Sequence, residues 1–246
     1  MTDGRVVAIV PAFNEAGAIG GVVEAIRAVD VAYDVVVIDD GSRDDTGAIA
    51  RAHGAAVVAL PYNMGIGSAV QTGFKYALEN GYATAVRLDG DGQHDPGELG
   101  KLLGPIRSGE ADIVTGSRFV EGSGDYRPPL ARRIGIIWFA RIVSLLTRQR
   151  VTDTTSGFQA LNRKGIALFA DDYPNDYPEV EATVLVFKHR LRLVEVPVTM
   201  RVRETGTSSI TFVRSIYYVL KVTLALCMAM LRKVTVPQDE LEVNKT

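Results

Sequence analysis

The chain has 246 residues, 47% hydrophobic and 23% charged, with a formal net charge of −2. That is enough apolar material for one sizeable α/β core, and the near-balanced charge gives no overall pull toward nucleic acid or membrane, so any such partner must be met by a local patch. The single cysteine, Cys227, excludes an intrachain disulfide and a cysteine-based metal cluster, and it is compatible with a reducing compartment.

The N-terminus has no basic stretch followed by a long apolar run, so no signal peptide is read there. Over the first 115 residues, short β-branched runs alternate with segments of helical spacing. Strands are expected at Val6–Val10, Val35–Ile38, Ala56–Leu60, Ala83–Leu88 and Asp112–Thr115. Helices are expected at Ala16–Val29, Asp44–His53, Ile66–Glu79 and Pro96–Ile106. Apolar runs without polar alternation suit strands covered on both faces, and the strand–helix rhythm implies right-handed crossovers and a mostly parallel sheet. The second half is less regular. It predicts a long helix over 127–150, a short strand at Gly157–Leu161, a helix at Glu179–His189, a strand at Leu193–Met200 broken by Pro197, and a second long helix over 209–232. Residues 238–246 are polar and expected to fray.

In a parallel α/β sheet, ligands bind beyond the carboxyl ends of the strands. Polar and glycine-rich clusters follow four consecutive strands: Pro11-Ala-Phe-Asn-Glu15, Asp39-Asp-Gly-Ser42, Asn63-Met-Gly65-Ile-Gly67 and Asp89-Gly-Asp91-Gly-Gln93-His94. The last is the strongest local signal. Two carboxylates two residues apart can aim oxygen ligands at one divalent cation, Gln93 adds a neutral oxygen, and Mg²⁺ or Mn²⁺ suits such a site. The glycines let the backbone approach a ligand. Asp95-Pro96 reads as a helix cap and first helical residue. An EF-hand fails, because Gln93 and Gly100 stand where ligands are required. The dinucleotide fingerprint fails as well, since Val70 replaces its third glycine. Asp40 could accept a hydrogen bond from a base N–H, and Ser42 with Asp45 fits a helix cap.

From Tyr126 to Thr152 there are six arginines and no acid, interleaved with Trp138, Phe139 and several aliphatic residues. From Thr205 to Gln238 there are again no acids. Both segments read as amphipathic helices suited to an anionic membrane surface. The longest charge-free apolar stretch near the C-terminus, 222–231, is half of what a spanning helix needs.

Taken together, these motifs resemble those of family 2 glycosyltransferases with the GT-A fold, and within them the dolichyl- or polyprenyl-phosphate sugar (mannose or glucose) synthases. The remaining matches are Gly116-Ser-Arg118, Asp153-x-x-Ser156-Gly-Phe158, Glu195-Val-Pro197 and Arg203-x-x-Gly206-x-Ser208. Where the family often has Lys after that last serine, this chain has Ser209. The resemblance implies a catalytic domain over 1–210, divided into a nucleotide-binding half (1–115) and an acceptor half (116–210), then a membrane-surface or packing helix (211–233) and a polar tail (234–246). It implies that Pro11, Ala12, Phe13, Glu15, Asp40 and Gly65 surround the nucleotide. Asp89, Asp91 and Gln93 would hold Mg²⁺ or Mn²⁺ and the donor diphosphate. Arg118, Arg132, Arg133, Arg203 and Ser208 would meet an acceptor phosphate, and Asp153 would lie near the reacting centre.

The implied reaction is inverting transfer of a hexose from a UDP- or GDP-sugar to polyprenyl phosphate, at the cytoplasmic face of the membrane by a peripherally bound enzyme. A hydroxyl acceptor would instead need a proton acceptor, with Asp153 and then Glu181 as candidates. A sugar nucleotidyltransferase and a non-catalytic membrane-associated binding module are the readings from other classes. No nucleic-acid partner is expected; a second copy of the chain or a small membrane protein is left open.

Overall fold

Unbroken β-branched runs form strands with no solvent-facing side. β1 (Val6–Ala12) is buried along its whole length, and β2 (Asp34–Asp39) is buried at its four central residues. β3 (Ala56–Ala59) and β4 (Thr84–Arg87) complete a parallel set in the order β3-β2-β1-β4. This computed structural model describes residues 4–30, 32–123, 130–147, 149–175, 178–201 and 223, without the side chains of 130–133 and 146.

Alternate residues of β1 point to opposite faces. On one face, Val6, Ala8 and Val10 pack with Val23 and Ile26 of α1 (Ile19–Val29) and with Leu102 and Leu103 of α4 (Leu99–Arg107). On the other, Val7 and Ile9 pack with Val70, Phe74 and Ala77 of α3 (Ile66–Glu79) and Phe169 of α6 (Arg163–Asp171). α2 (Thr46–Ala52) packs beside α1. Each of these large buried side chains is worth about 3–5 kcal/mol against truncation to alanine when aromatic and about 2–5 kcal/mol when Leu or Ile.

The second half joins the same sheet. β5 (Ile113–Ser117), β6 (Gln159–Asn162) and β7 (Leu193–Pro197) extend it to seven strands, in the order β3-β2-β1-β4-β6-β5-β7. β6 runs antiparallel to both β4 and β5, and β7 pairs parallel with β5 at the edge. β7 stops at Pro197 instead of reaching Met200, which makes only an isolated bridge to His94. Proline is tolerated at such an edge because its missing N–H faces no partner strand.

Helix α6 was not expected. It is capped by Asn162, whose side chain accepts from the N–H groups of Lys164 and Gly165. Helix α5 (Leu130–Thr147) lies within the predicted 127–150, and Gln149 and Arg150 are not helical. Its Phe139 and Val143 are buried against Val180 and Val184 of α7 (Pro178–Lys188). Ile134, Ile137, Trp138 and Leu145 stay exposed, with Arg141 beside them. The predicted C-terminal helix and tail, 211–246, lie outside the described residues apart from Thr223. No helix among the described residues is long and apolar enough to cross a membrane.

Candidate active site

The strand order reverses between β1 and β4, which is where an open α/β sheet leaves a crevice. The segments leaving β1, β2, β3 and β4 meet there in an open cleft of about 340 Å³. Of the nine residues expected around the donor and its cation, eight line it, namely Pro11, Ala12, Phe13, Glu15, Asp40, Gly65, Asp89 and Asp91, and Gln93 does not. Asn63, Ile66, Ala69 and Gly90 complete the wall.

The β1–β4 pairing continues past the strands. Leu88 N–H donates to Ile9 O at 3.1 Å and Gly90 N–H to Pro11 O at 3.3 Å. A Cβ on Gly90 would lie 3.1 Å from Pro11 O and 3.2 Å from Ala12 Cβ. This glycine therefore allows the close approach of two backbone segments while it also lines the cleft. The result is an acidic loop pressed against the Pro11–Phe13 segment.

Within that loop, Asp89 N–H donates to His94 Nδ1 at 3.0 Å, which leaves the ring proton on Nε2, 3.7 Å from Asp89 Oδ2. His94 is 4% exposed and stacks on Phe158, 4.8 Å between centroids. Burial pushes the His94 pKa down, against the pull of Asp89, so the ring is neutral near pH 7. Burial alone would raise the Asp89 carboxyl, but His94 when it carries a proton, together with the Arg87 and Arg118 guanidiniums, holds it below the ordinary carboxylate range. Asp89 is thus an anion facing the cleft.

Asp91 is gripped by Gln93, whose N–H donates to Oδ1 at 3.0 Å and whose Nε2 donates to Oδ2 at 2.6 Å. Gln93 is therefore a clamp on Asp91, made through its backbone N–H and its amide nitrogen. Asp95 caps the turn at Pro96–Glu98 by accepting from Gly97 N–H, as its sequence predicts. Among the described residues no three His, Cys, Asp or Glu side chains converge as a metal cluster. Asp89 and Asp91 nevertheless fit Mg²⁺ or Mn²⁺, since such ions are commonly held by one or two carboxylates with water and phosphate oxygens completing the shell.

Asp40 is 4% exposed. Its Oδ1 accepts from Met64 N–H at 2.7 Å and its Oδ2 from Gly65 N–H at 3.0 Å. It latches the loop after β3 to the end of β2, a task that its sequence context did not reveal. Ser42 does not cap α2. Its Oγ accepts from Asn14 N–H, and Asp44 receives Thr46 N–H instead.

Arg118 and Asp153 do not stand open to an acceptor. Their side chains are 5% and 0% exposed and form a two-pronged ion pair, Nε to Oδ2 at 2.7 Å and Nη2 to Oδ1 at 2.8 Å. Asp153 also accepts from Arg118 N–H and from the N–H and Oγ1 of Thr155. With five donors on two oxygens, Asp153 is not placed as a proton acceptor, and Arg118 is not placed as an exposed phosphate clamp. Behind them, Glu195 accepts from Thr152 N–H, Thr152 Oγ1 and Asp153 N–H, while burial raises its carboxyl pKa. Three separated motifs thus form one buried polar joint.

Glu181, the second candidate base, is half-buried in the first turn of α7 and does not line the cleft. Its neighbour Glu179 reaches Arg87, and through it Asp89. The side chains of Arg132 and Arg133, and all of Arg203 and Ser208, lie outside the described residues. Sequence reading missed Arg87, Tyr173 and Glu179. A charged residue inside the apolar β4 run was the one available signal.

A mostly parallel α/β sheet with an anionic loop and an open cleft at the carboxyl ends of its strands has its crevice where such sheets bind ligands. The chain belongs to glycosyltransferase family 2: the family described as Glycosyl transferase family 2 matches residues 7–168. It is 30% identical over 218 residues to a UDP-N-acetylglucosamine–dolichyl-phosphate N-acetylglucosaminyltransferase of Methanococcus voltae, covering 80% of this chain and 86% of that protein. It is 32% identical over 220 residues to a polyprenol monophosphomannose synthase of Mycolicibacterium smegmatis, covering 84% and 81%. Among solved structures it is similar to glucosyl-3-phosphoglycerate synthase from Mycobacterium tuberculosis in complex with Mn²⁺, UDP and glucosyl-3-phosphoglycerate. That likeness has a TM-score of 0.68 at 21% identity, over 92% of this chain and 79% of that one. The fold is accordingly the expected GT-A one.

Proposed function

We propose that the chain transfers a hexosyl group from a UDP- or GDP-sugar to the phosphate of a polyprenyl lipid, with inversion at the transferred carbon. The observation that carries this reading is the cleft itself, which gathers Pro11, Ala12, Phe13, Glu15, Asp40 and Gly65 around Asp89 and Asp91. Phe13, 41% exposed, offers aromatic surface for a base. Asp40 keeps the Asn63–Gly65 wall in place. A divalent cation held by Asp91 with Asp89 would supply positive charge against the departing diphosphate. Gln93 fixes the Asp91 carboxylate for that task.

The lipid phosphate is favoured over a hydroxyl by the state of Asp153. A phosphate arrives already anionic and needs no proton acceptor, whereas a hydroxyl does. The carboxylate best placed by sequence for that role is consumed by Arg118 and Thr155. The names of the two relatives support the same choice. Arg132, Arg133, Arg203 and Ser208 remain the groups proposed for the acceptor phosphate. The apolar exposed side of α5, with Trp138 and Arg141, suits peripheral attachment to the cytoplasmic face of an anionic membrane.

The test incubates the purified chain with Mn²⁺ or Mg²⁺, polyprenyl phosphate and a panel of UDP- and GDP-sugars, then measures sugar in the organic phase. A metal-dependent lipid product is expected. Nucleotide release without a lipid product, in the presence of a hydroxyl acceptor, would refute the phosphate acceptor.

A further inference from the structure

We infer that Arg87 and Glu179 are positioning residues for Asp89, and that Glu179 sets how much of the Asp89 negative charge is left to face the donor site. The inference rests on the donor-site reading above and adds to it a carboxylate from the far half of the chain.

Arg87 sits in β4 with its side chain 1% exposed. Nη1 donates to the Tyr173 hydroxyl at 2.9 Å, and Nη2 donates to Glu179 Oε1 at 2.8 Å and to Asp89 Oδ1 at 3.5 Å. A buried guanidinium must be paired, and one carboxylate is enough to do it. Here two compete for one nitrogen, and the distances say which wins. Glu179 holds the cation at full hydrogen-bond contact while Asp89 receives a stretched share. The winning residue lies in the first turn of α7, where the helix dipole favours a carboxylate. The losing residue lines the cleft with its side chain 37% exposed. Tyr173, kept neutral by burial and by Glu179, adds no charge to the contest.

The local packing is shaped to this arrangement. A Cβ on Gly157 would lie 2.8 Å from Arg87 Nη2 and 3.2 Å from Asp89 Oδ1. Any larger residue there would push the guanidinium out of its place between the two acids. Without the Glu179 charge, Arg87 has only Asp89 to pair with, and the negative potential offered to a cation in the cleft falls.

Binding of Mn²⁺ alone to the full chain, followed by the paramagnetic resonance of free Mn²⁺, reads this directly; calorimetry with UDP and with GDP in Mn²⁺ follows the donor. Glu179→Gln is isosteric and leaves Arg87 an acceptor. It is expected to weaken Mn²⁺ binding about fivefold to tenfold, the effect of one charge several ångströms away at an effective protein dielectric. Glu179→Ala is expected to do the same without the amide, and Glu179→Asp, which keeps the charge, to stay within about twofold of wild type. Thermal melts report folding separately. Folded Glu179→Gln or Glu179→Ala protein with wild-type Mn²⁺ affinity would overturn the inference. A wild-type chain that binds neither Mn²⁺ nor either nucleotide would overturn the donor-site reading beneath it.

Discussion

Replacing Asp153 by Asn separates two roles that the sequence left open. In the structure, five donors converge on this carboxylate, and the Arg118 side chain opposite it is 5% exposed. An Asn side chain keeps one acceptor oxygen but turns an NH₂ toward either Arg118 or Thr155, and it removes the carboxylate charge that the buried Arg118 guanidinium grips with two prongs. Removing one member of a buried pair costs about 3–5 kcal/mol. At roughly 2–4 °C per kcal/mol for a domain of this size, the thermal midpoint should fall by about 6–20 °C. The double change Arg118→Met with Asp153→Leu removes both buried charges and should recover part of that loss. Guanidinium melts give the stability, and transfer rates normalised to folded protein give the activity. Should Asp153→Asn melt like the wild type while its normalised rate collapses, the buried-joint account fails and Asp153 meets the acceptor directly.

Other perturbations test other parts of the site. Asp91→Asn should leave the melting curve nearly unchanged and lower transfer by at least about a hundredfold, as should chelation of the cation; near-normal turnover would remove Asp91 from the metal site. Asp40→Ala strands the N–H groups of Met64 and Gly65, at about 1–3 kcal/mol each, and should loosen UDP or GDP binding by about tenfold in calorimetry. Unchanged affinity would mean that the loop holds its own shape. Asp112 makes three contacts with Arg192 and one with Asn162, and although burial opposes them they lower its pKa to about 2. The unfolded chain therefore takes up the proton first, so this stabilisation is complete above pH 3.8 and lost as the pH falls toward 2. Arg192 is half-exposed, which trims the contribution to about 1–2 kcal/mol. In urea melts, the stability gap between wild type and Asp112→Asn should close over that pH range; a gap independent of pH would assign it to packing.

How much was legible depended on whether the signal was local. Helix α3 was read to the residue because its apolar spacing runs unbroken from Ile66 to Glu79. The donor cleft was legible because parallel strands deliver their C-terminal loops to one edge, so four separate loop motifs had to meet. Helix α6 was missed although Asn162 caps it and Ile166, Phe169 and Ala170 give it a buried face; nine residues is too short a window for the pattern to stand out. The antiparallel placement of β6 was not legible, since strand direction within a sheet is fixed by partners far away in the chain. The same distance hid Glu179, which lies 92 residues from Arg87. Gln93, Asp40 and Asp153 were all singled out, but what each one holds depends on tertiary neighbours that no short motif encodes.

The position of β6 between β4 and β5 bears on any attempt to cut this enzyme into parts. The segment 1–115 looks like a self-sufficient nucleotide-binding unit, yet one edge of β4 is closed only by β6, and β5 depends on β6 and β7 for all its pairing. Expressed alone, that fragment would present a bare, apolar strand edge, the kind that recruits other chains and aggregates. Chimaeras that exchange the acceptor half between relatives therefore have to preserve the Thr84–Arg87 to Gln159–Asn162 register as faithfully as any catalytic residue.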